Sequence, residues 1–372
     1  MSDYAVRLER LQGAMRALGA SLAVFAPSNQ MRYLTGWAEE GYERLVALFV
    51  PAQGEPAFLV PAINAQHAEA NPAGIRRVLG WHDAQGWQEE VKALLAEWGL
   101  AGREARVLID DELHSGHLLR LQARFPGLRC TPAGDAMARL REIKTGDELA
   151  ALDAAAALID AIYEEALGAL TEGMTESELQ DFIFAAFKRH NTTPSFTPMV
   201  CFGENGAMPH HATGATTLKR GDIVVLDIGC TWEGYCSDIT RTFAFGEPRD
   251  LDAARVYEIV SQAHWAAREA AKPGVSGAAV DAAARRIITE AGYGAQFIHR
   301  TGHGIGLSDH EDPYIVAGNT VPLQPGMCFS IEPGIYLPGR FGVRIENIVT
   351  MTPDGVRSLN AEAPRQLPII NA

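Results

Sequence analysis

The sequence predicts an α+β protein in which a small α/β domain precedes a larger one. Three observations lead there. The chain has 372 residues, more than one domain usually holds. Over roughly its first 130 residues, short apolar runs alternate with helical patterns and turn signals. Further on, longer helical patterns appear, with strand-like runs between and after them. At 47% hydrophobic and 21% charged, the composition is that of a globular protein with enough apolar material for a sizeable core.

The first element is a helix from about Asp3 to Leu18, with Leu8, Leu11, Met15 and Leu18 at helical spacing and Gly19 as the stop. Strand-like runs follow at Leu22–Phe25, Leu45–Val50 and Ala57–Val60, and the Pro51-to-Pro56 stretch reads as a hairpin loop. A helix around Trp87–Trp98, a strand at Arg106–Asp110 and a helix around Ser115–Arg124 complete the small domain, taken as residues 1–132. Residues 130–146 read as a connection, and residues 140–372 as the second domain. Its helices are expected at Asp147–Leu170, at Glu176–Arg189 behind a Thr175/Glu178 capping box, at Leu251–Ala271, and from a Ser276 cap to Ala291. Its strands are expected at Ile223–Ile228, Tyr235–Phe245, Met327–Ile331 and Val343–Met351.

Thirty-two basic against 46 acidic side chains leave a net charge of −14, which disfavours a nucleic-acid partner. The five cysteines, Cys130, Cys201, Cys230, Cys236 and Cys328, are odd in number and lack CxxC spacing. That argues for free thiols in a reducing cytoplasm rather than a disulfide framework. The polar, amphipathic segment Met1 to Arg10 leads into no apolar run of signal-peptide type, and no stretch is long enough for a transmembrane helix, so no membrane role is expected.

The densest chemical signal is Asp227 inside an apolar strand, followed by Asp238. Trp232-Glu233-Gly234 between them reads as a hairpin turn, so both aspartates can project from one face. Two carboxylates there would repel, and a shared cation would relieve the repulsion. Next comes His303 between Gly302 and Gly304. No Lys-Ser/Thr follows to make a P-loop, and Tyr314 stands where a zincin motif starting at His310-Glu311 would need its second His. Glu332 and Glu346 each lie in apolar, strand-like surroundings. Each residue alone suits an ordinary structural role. Together, four carboxylates and one imidazole suit two divalent cations of the manganese, cobalt or zinc kind, which can activate water and polarise an amide carbonyl.

The order Asp, Asp, His, Glu, Glu, with separations of 11, 65, 29 and 14, resembles the creatinase/methionine-aminopeptidase superfamily of pita-bread metallopeptidases over about residues 140–355. The N-terminal part resembles the creatinase-type domain of Xaa-Pro peptidases. The resemblance implies a pita-bread catalytic domain holding two metal ions (Mn2+, Co2+ or Zn2+), and hydrolysis of the bond before proline by an aminopeptidase or a dipeptidase. It implies that Asp227 binds one metal, that Asp238 and Glu346 bridge both, and that His303 and Glu332 complete the set. Glu332 would also be the general base. His210 matches a substrate-contacting histidine, His310 one that stabilises the tetrahedral intermediate or leaving group, and Arg344 the arginine beside the last ligand. Asn347 departs from the pattern, since many relatives carry Asp there. The resemblance further implies proline-containing peptides as substrates and a homodimer. A small-amide hydrolase on the same scaffold, such as one acting on ectoine, and a non-enzymatic binding protein are the alternative readings.

Overall fold

The computed structural model describes residues 3–39 and 43–371; residues 1, 2 and 372, which the expected domain limits and polar N-terminus include, lie outside the described residues. The chain divides into two compact units, Met1–Leu140 and Arg141–Ala372.

The first unit begins with α1 (Asp3–Ala17), which buries Leu8, Leu11 and Met15. Its sheet contains β1 (Leu22–Phe25), β2 (Ala47–Pro51), β3 (Ala57–Pro61), β4 (Val78–Trp81), β5 (Ala105–Ile109) and β6 (Leu128–Pro132), in the order β4-β3-β2-β1-β5-β6. The β1–β2 and β2–β3 pairs are antiparallel and the outer pairs parallel. Between these strands lie α2 (Asn29–Thr35), α3 (Ala65–Glu69), α4 (Gln88–Glu97) and α5 (Ser115–Arg124), and α6 (Gly134–Arg141) follows. One sheet face, with Leu22, Val24, Ala47, Phe49, Ala57 and Leu59 at the two-residue strand period, packs on Val91, Leu94 and Leu95 of α4 and Leu121 of α5. The short helices α2 and α3 were not expected, because neither spans enough turns to show a period. The stretch read as a connection holds α6.

In the second unit, α7 (Gly146–Gly168) and α8 (Glu176–Arg189) each start at a capping box, Thr145 with Glu148 and the expected Thr175 with Glu178. They pack through Ile159, Ile162, Leu179 and Ile183 onto Val200, Val224, Leu226 and Phe243. Those residues belong to the sheet of β7 (Met199–Phe202), β8 (Asp222–Ile228) and β11 (Ile239–Phe245), with β9 (Thr231–Trp232) and β10 (Tyr235–Cys236) forming a small hairpin between β8 and β11. Helices α9 (Ala253–Ala270) and α10 (Gly277–Glu290) back the other half. Their Val256, Val260, Val280 and Ala284 share a core with Phe329, Ile331, Val343 and Val349. That half contains β12 (Gly302–Gly304), β13 (Glu311–Ile315), β14 (Cys328–Ile331), β15 (Gly334–Leu337), β16 (Phe341–Arg344), β17 (Asn347–Thr352) and β18 (Gly355–Ser358). Strand β19 (Ile369–Ile370) returns to pair with β11. Sheets backed by helix pairs in this way make the pita-bread fold.

Two expected strands are interrupted. The run 235–245 splits at Ser237-Asp238, where the Ser237 hydroxyl accepts from the Cys230 amide at 3.0 Å and donates to the Cys230 carbonyl at 3.1 Å. The run 343–351 splits at Ile345-Glu346, because β16 pairs with β15 whereas β17 pairs with β14. At the switch, the Glu346 amide donates to the Thr240 carbonyl at 3.1 Å.

Candidate metal centre

The carboxylates and the histidine singled out in the sequence meet on the floor of one cavity of about 660 Å³. Asp227 lies on β8 opposite Thr240 of β11. Asp238 sits two residues before Thr240 and so shares its face, as a diagonal rather than a direct neighbour of Asp227. Glu332 occupies the joint between β14 and β15, and Glu346 the joint between β16 and β17. His303 is central in β12, which is squeezed between β13 and β14. A Cβ at Gly302 would collide with the Ser330 carbonyl, and one at Gly304 with the Asp312 carbonyl. Glycine on both sides is therefore what lets this short strand bring His303 into place.

The ligand atoms are close. His303 Nε2 lies 3.4 Å from Glu332 Oε1, 3.7 Å from Asp238 Oδ2 and 4.0 Å from Glu346 Oε1. Three overlapping groups, Asp227–Asp238–Glu346, His303–Glu332–Glu346 and Asp238–His303–His310, each have ligand atoms within 4.8 Å of one another. The overlap of the first two at Glu346, and of the first and third at Asp238, is the geometry of two adjacent cation positions. The imidazole is oriented for such a task. Its Nδ1 lies 3.0 Å from the Gly304 carbonyl, which can only accept, so Nδ1 carries the proton and Nε2 presents its lone pair to the carboxylates.

Electrostatics points the same way. Burial and the carboxylates of Glu346 and Asp227 push the Asp238 pKa well up, burial and Glu346 do the same to Glu332, and burial with Asp227 raises Glu346 to about 7. Burial and the neighbouring His310 hold His303 well below the usual histidine range. Asp227 Oδ1, Asp238 Oδ1 and Glu346 Oε1 are buried and have no hydrogen-bond partner. Orphaned buried carboxylate oxygens are costly, and the oxygen-rich set with one imidazole fits a pair of divalent cations, which would remove both the repulsion and the orphaning.

A hydrogen-bonded scaffold grips these candidate ligands from behind. Arg344 donates from Nη2 to Asp227 Oδ2 at 2.5 Å, from Nε to Thr240 Oγ1 at 2.9 Å and from Nη1 to the Tyr336 hydroxyl at 3.0 Å. Thr240 in turn donates to Glu346 Oε2 at 2.7 Å. The Tyr336 hydroxyl lies 2.8 Å from Nε2 of His299, a half-buried histidine lowered to about 4 by desolvation and by the Arg344 cation. Thr240, Tyr336, His299 and Arg300 line or brace the site and were not anticipated. Only Thr240 left a trace in the sequence, as the alternate residue after Asp238 on the same strand face. Asn347 turns away from the ligands: its amide donates to Ser358 Oγ at 2.9 Å and to the Ala361 carbonyl at 2.9 Å, a bond a carboxylate could not make.

His310 and His210 both line the cavity. The His310 ring lies 3.9 Å from that of His303, and burial lowers its pKa. His210 is exposed on a loop whose anchor is Glu176, the first residue of α8. That fully buried carboxylate accepts from the Phe202 amide at 2.8 Å, the Asn205 side chain at 2.8 Å and the Gly214 amide at 3.1 Å, and lies 2.8 Å from His211 Nε2. Phe196, Met199 and Pro209 supply an apolar wall to the same cavity.

Comparison with known proteins agrees with this geometry. Residues 150–353 match the model of metallopeptidase family M24, and residues 7–143 match the creatinase/prolidase N-terminal domain. The chain is 41% identical to a probable dipeptidase PepE of Mycobacterium tuberculosis, over 99% of this chain and 96% of that one. It is 37% identical to a Xaa-Pro dipeptidase of Lactobacillus delbrueckii subsp. lactis, over 95% and 96%. Among solved structures, a recombinant prolidase from Thermococcus sibiricus superposes with a TM-score of 0.93 at 36% identity, covering 99% of this chain and all of the other. With both domains matched and the relatives aligned from end to end, the chain belongs to metallopeptidase family M24.

Proposed function

We propose that this chain is a dinuclear-metal-dependent exopeptidase that hydrolyses the bond preceding proline, with Asp227, Asp238, His303, Glu332 and Glu346 as metal ligands. The observation that carries this is the convergence of those five side chains on one cavity floor, with three buried carboxylate oxygens lacking any partner. When bound, the two cations supply an activated water and polarise the scissile carbonyl. Glu332, which lines the cavity beside His303, takes the proton of the attacking water and passes it to the departing proline nitrogen. His310, poised beside His303, hydrogen-bonds the developing oxyanion or leaving group, and His210 contacts the substrate from the opposite loop. Arg344 holds Asp227 through Nη2 alone, its other two nitrogens being taken by Thr240 and Tyr336. Proline lacks an N–H and has a fixed φ, so a site gripping the carbonyl end and seating the ring on an apolar wall suits it better than one needing an extended, donating backbone.

Manganese, cobalt and zinc all accept this donor set. A cytoplasmic homodimer is the setting we infer. The five cysteines are unpaired, which suits a reducing compartment, and among the described residues no helix is long and apolar enough to cross a membrane. The test is hydrolysis of Leu-Pro and Leu-Pro-Gly by metal-stripped protein reloaded with each of the three metals, alongside elemental analysis. Release of leucine from either substrate supports the reading. No hydrolysis with any metal, or hydrolysis confined to small non-peptide amides, overturns it. Light scattering that finds a monomer overturns the homodimer.

A further inference from the structure

We propose that Glu311 is a positioning residue for catalysis: clamped between Arg141 and Lys144, it fixes the turn that presents His310 to the substrate. The inference rests on the peptidase reading above and adds a residue that acts through His310. His310 ends the turn between β12 and β13, lines the cavity and is exposed there. Packing alone therefore does not hold it. Glu311, the first residue of β13, points away from the cavity, as alternation along a strand requires. Its side chain is 10% exposed and meets those of Arg141 and Lys144, which are 7% and 1% exposed, so water screens the cluster little.

The carboxylate is claimed from several sides. Arg141 Nη2 donates to Glu311 Oε2 and, at 3.0 Å, to the Ser308 hydroxyl. Lys144 Nζ donates to Glu311 Oε1 at 2.9 Å. The Ser308 amide donates to Oε2 at 3.4 Å, and the carboxylate fills the space that a side chain at Gly306 would need. The turn is thus tied to the residue that follows it. Lys144 is pinned in its turn: its amide donates to the Gly326 carbonyl at 2.9 Å, and Ile143 pairs with Met327 just before β14. Burial opposes the charge on Glu311, but Lys144 and Arg141 together outweigh it and hold the pKa below that of an ordinary glutamate. Buried ion clusters often add little stability over apolar side chains of like volume, whereas charge-assisted hydrogen bonds fix direction. Direction is what the cavity needs. The His310 ring lies 3.9 Å from that of His303, and its Nδ1 accepts from Arg300 Nη2 at 3.2 Å, which leaves Nε2 to donate. A shift of about 1 Å in the turn would misdirect that donor.

The experiment measures Glu311→Gln, and Glu311→Met combined with Lys144→Met, each with His310 intact and with His310→Ala, on metal-loaded protein. The combined variant removes opposite charges together, so a folded form remains available if Glu311→Gln strands Lys144 and unfolds. With both metals retained by elemental analysis, kcat on Leu-Pro should fall about 10- to 100-fold while KM changes by less than about 3-fold. On top of His310→Ala, the same substitutions should cost less than about 2-fold more, because the group being positioned is gone. Wild-type kcat in a folded variant, a full loss repeated on top of His310→Ala, or a loss that merely follows loss of metal would each overturn the assignment. A readout without turnover separates this inference from the peptidase reading. In zinc-loaded protein carrying isotopically labelled histidine, the His310 Cε1–H resonance should be one sharp line in wild type, and broadened or divided in the Glu311 variants. That change supports the assignment even if no substrate turns over, and an unaltered line overturns it even if Leu-Pro is cleaved.

Discussion

Thr240 shows how the site is shared between residues that act and residues that hold. Its hydroxyl accepts from Arg344 and donates to Glu346, so one side chain fixes the orientation of two others more than a hundred positions away. Thr240→Val keeps the shape and removes both bonds. Metal affinity or activity is expected to fall about 10- to 100-fold, measured by competition with a chelating dye and by kcat/KM. Glu332→Gln keeps a possible metal-binding oxygen but cannot take a proton, so kcat should fall by about 10²- to 10⁴-fold. Unchanged kcat in a variant shown by elemental analysis to hold both metals would remove Glu332 from the base role. At this scale the candidate ligands were legible, because their residue types, order and spacing form a specific set. Tyr336, His299 and Arg300 were not, since each matters only through what the fold brings beside it.

The elements explain why the candidate ligands converge. Asp238, Glu332 and Glu346 all stand where a strand stops or changes sheets, and only Asp227 and His303 lie within strands. At such breaks the local backbone leaves the ladder, and a side chain can be aimed inward without displacing core residues. The sequence showed apolar runs at 235–245 and 343–351 but not their interruptions. Those depend on the Ser237–Cys230 bonds and on the pairing of β16 and β17 with different strands, which are tertiary matters. The capping box before α8 was legible because its bonds are local. The narrow β12 supplies the prediction at this scale. Gly302→Ala presses a methyl against the Ser330 carbonyl, and about 1–3 kcal/mol of stability should be lost, with metal affinity, in chemical denaturation and metal titration. A variant with wild-type stability would mean that β12 has room to shift.

The whole molecule carries charges whose balance depends on conditions. Metal-free protein keeps several crowded carboxylates, so chelation should lower Tm, and added manganese, cobalt or zinc should raise it with the logarithm of concentration. A Tm indifferent to all three metals would count against the centre. Acid stability has a separate source in His264, which is buried, lacks a partner at Nε2, and is lowered well below 6.5 by burial and then by the cations Arg268, Arg241 and Arg365. The unfolded chain then binds a proton that the folded one refuses. This contribution is therefore complete above about pH 6.5 and declines as pH falls below it, at up to ~1.4 kcal/mol per pH unit. His264→Leu should flatten that limb of the stability curve, measured by urea unfolding between pH 5 and 7. Two-domain organisation was legible at this scale from length and pattern. The number of strands was not, because strands of two to four residues show no period.

The buried Glu176 has a consequence for time as well as for place. Phe202 and Gly214, at the two ends of the loop that carries His210, donate their amides to one fully buried carboxylate. Their hydrogens can exchange with solvent only when that grip opens. In deuterium exchange these two positions should be protected like interior strand amides, while the exposed tip between them exchanges freely. The loop would thus meet each incoming substrate already set, with little ordering left to do on encounter.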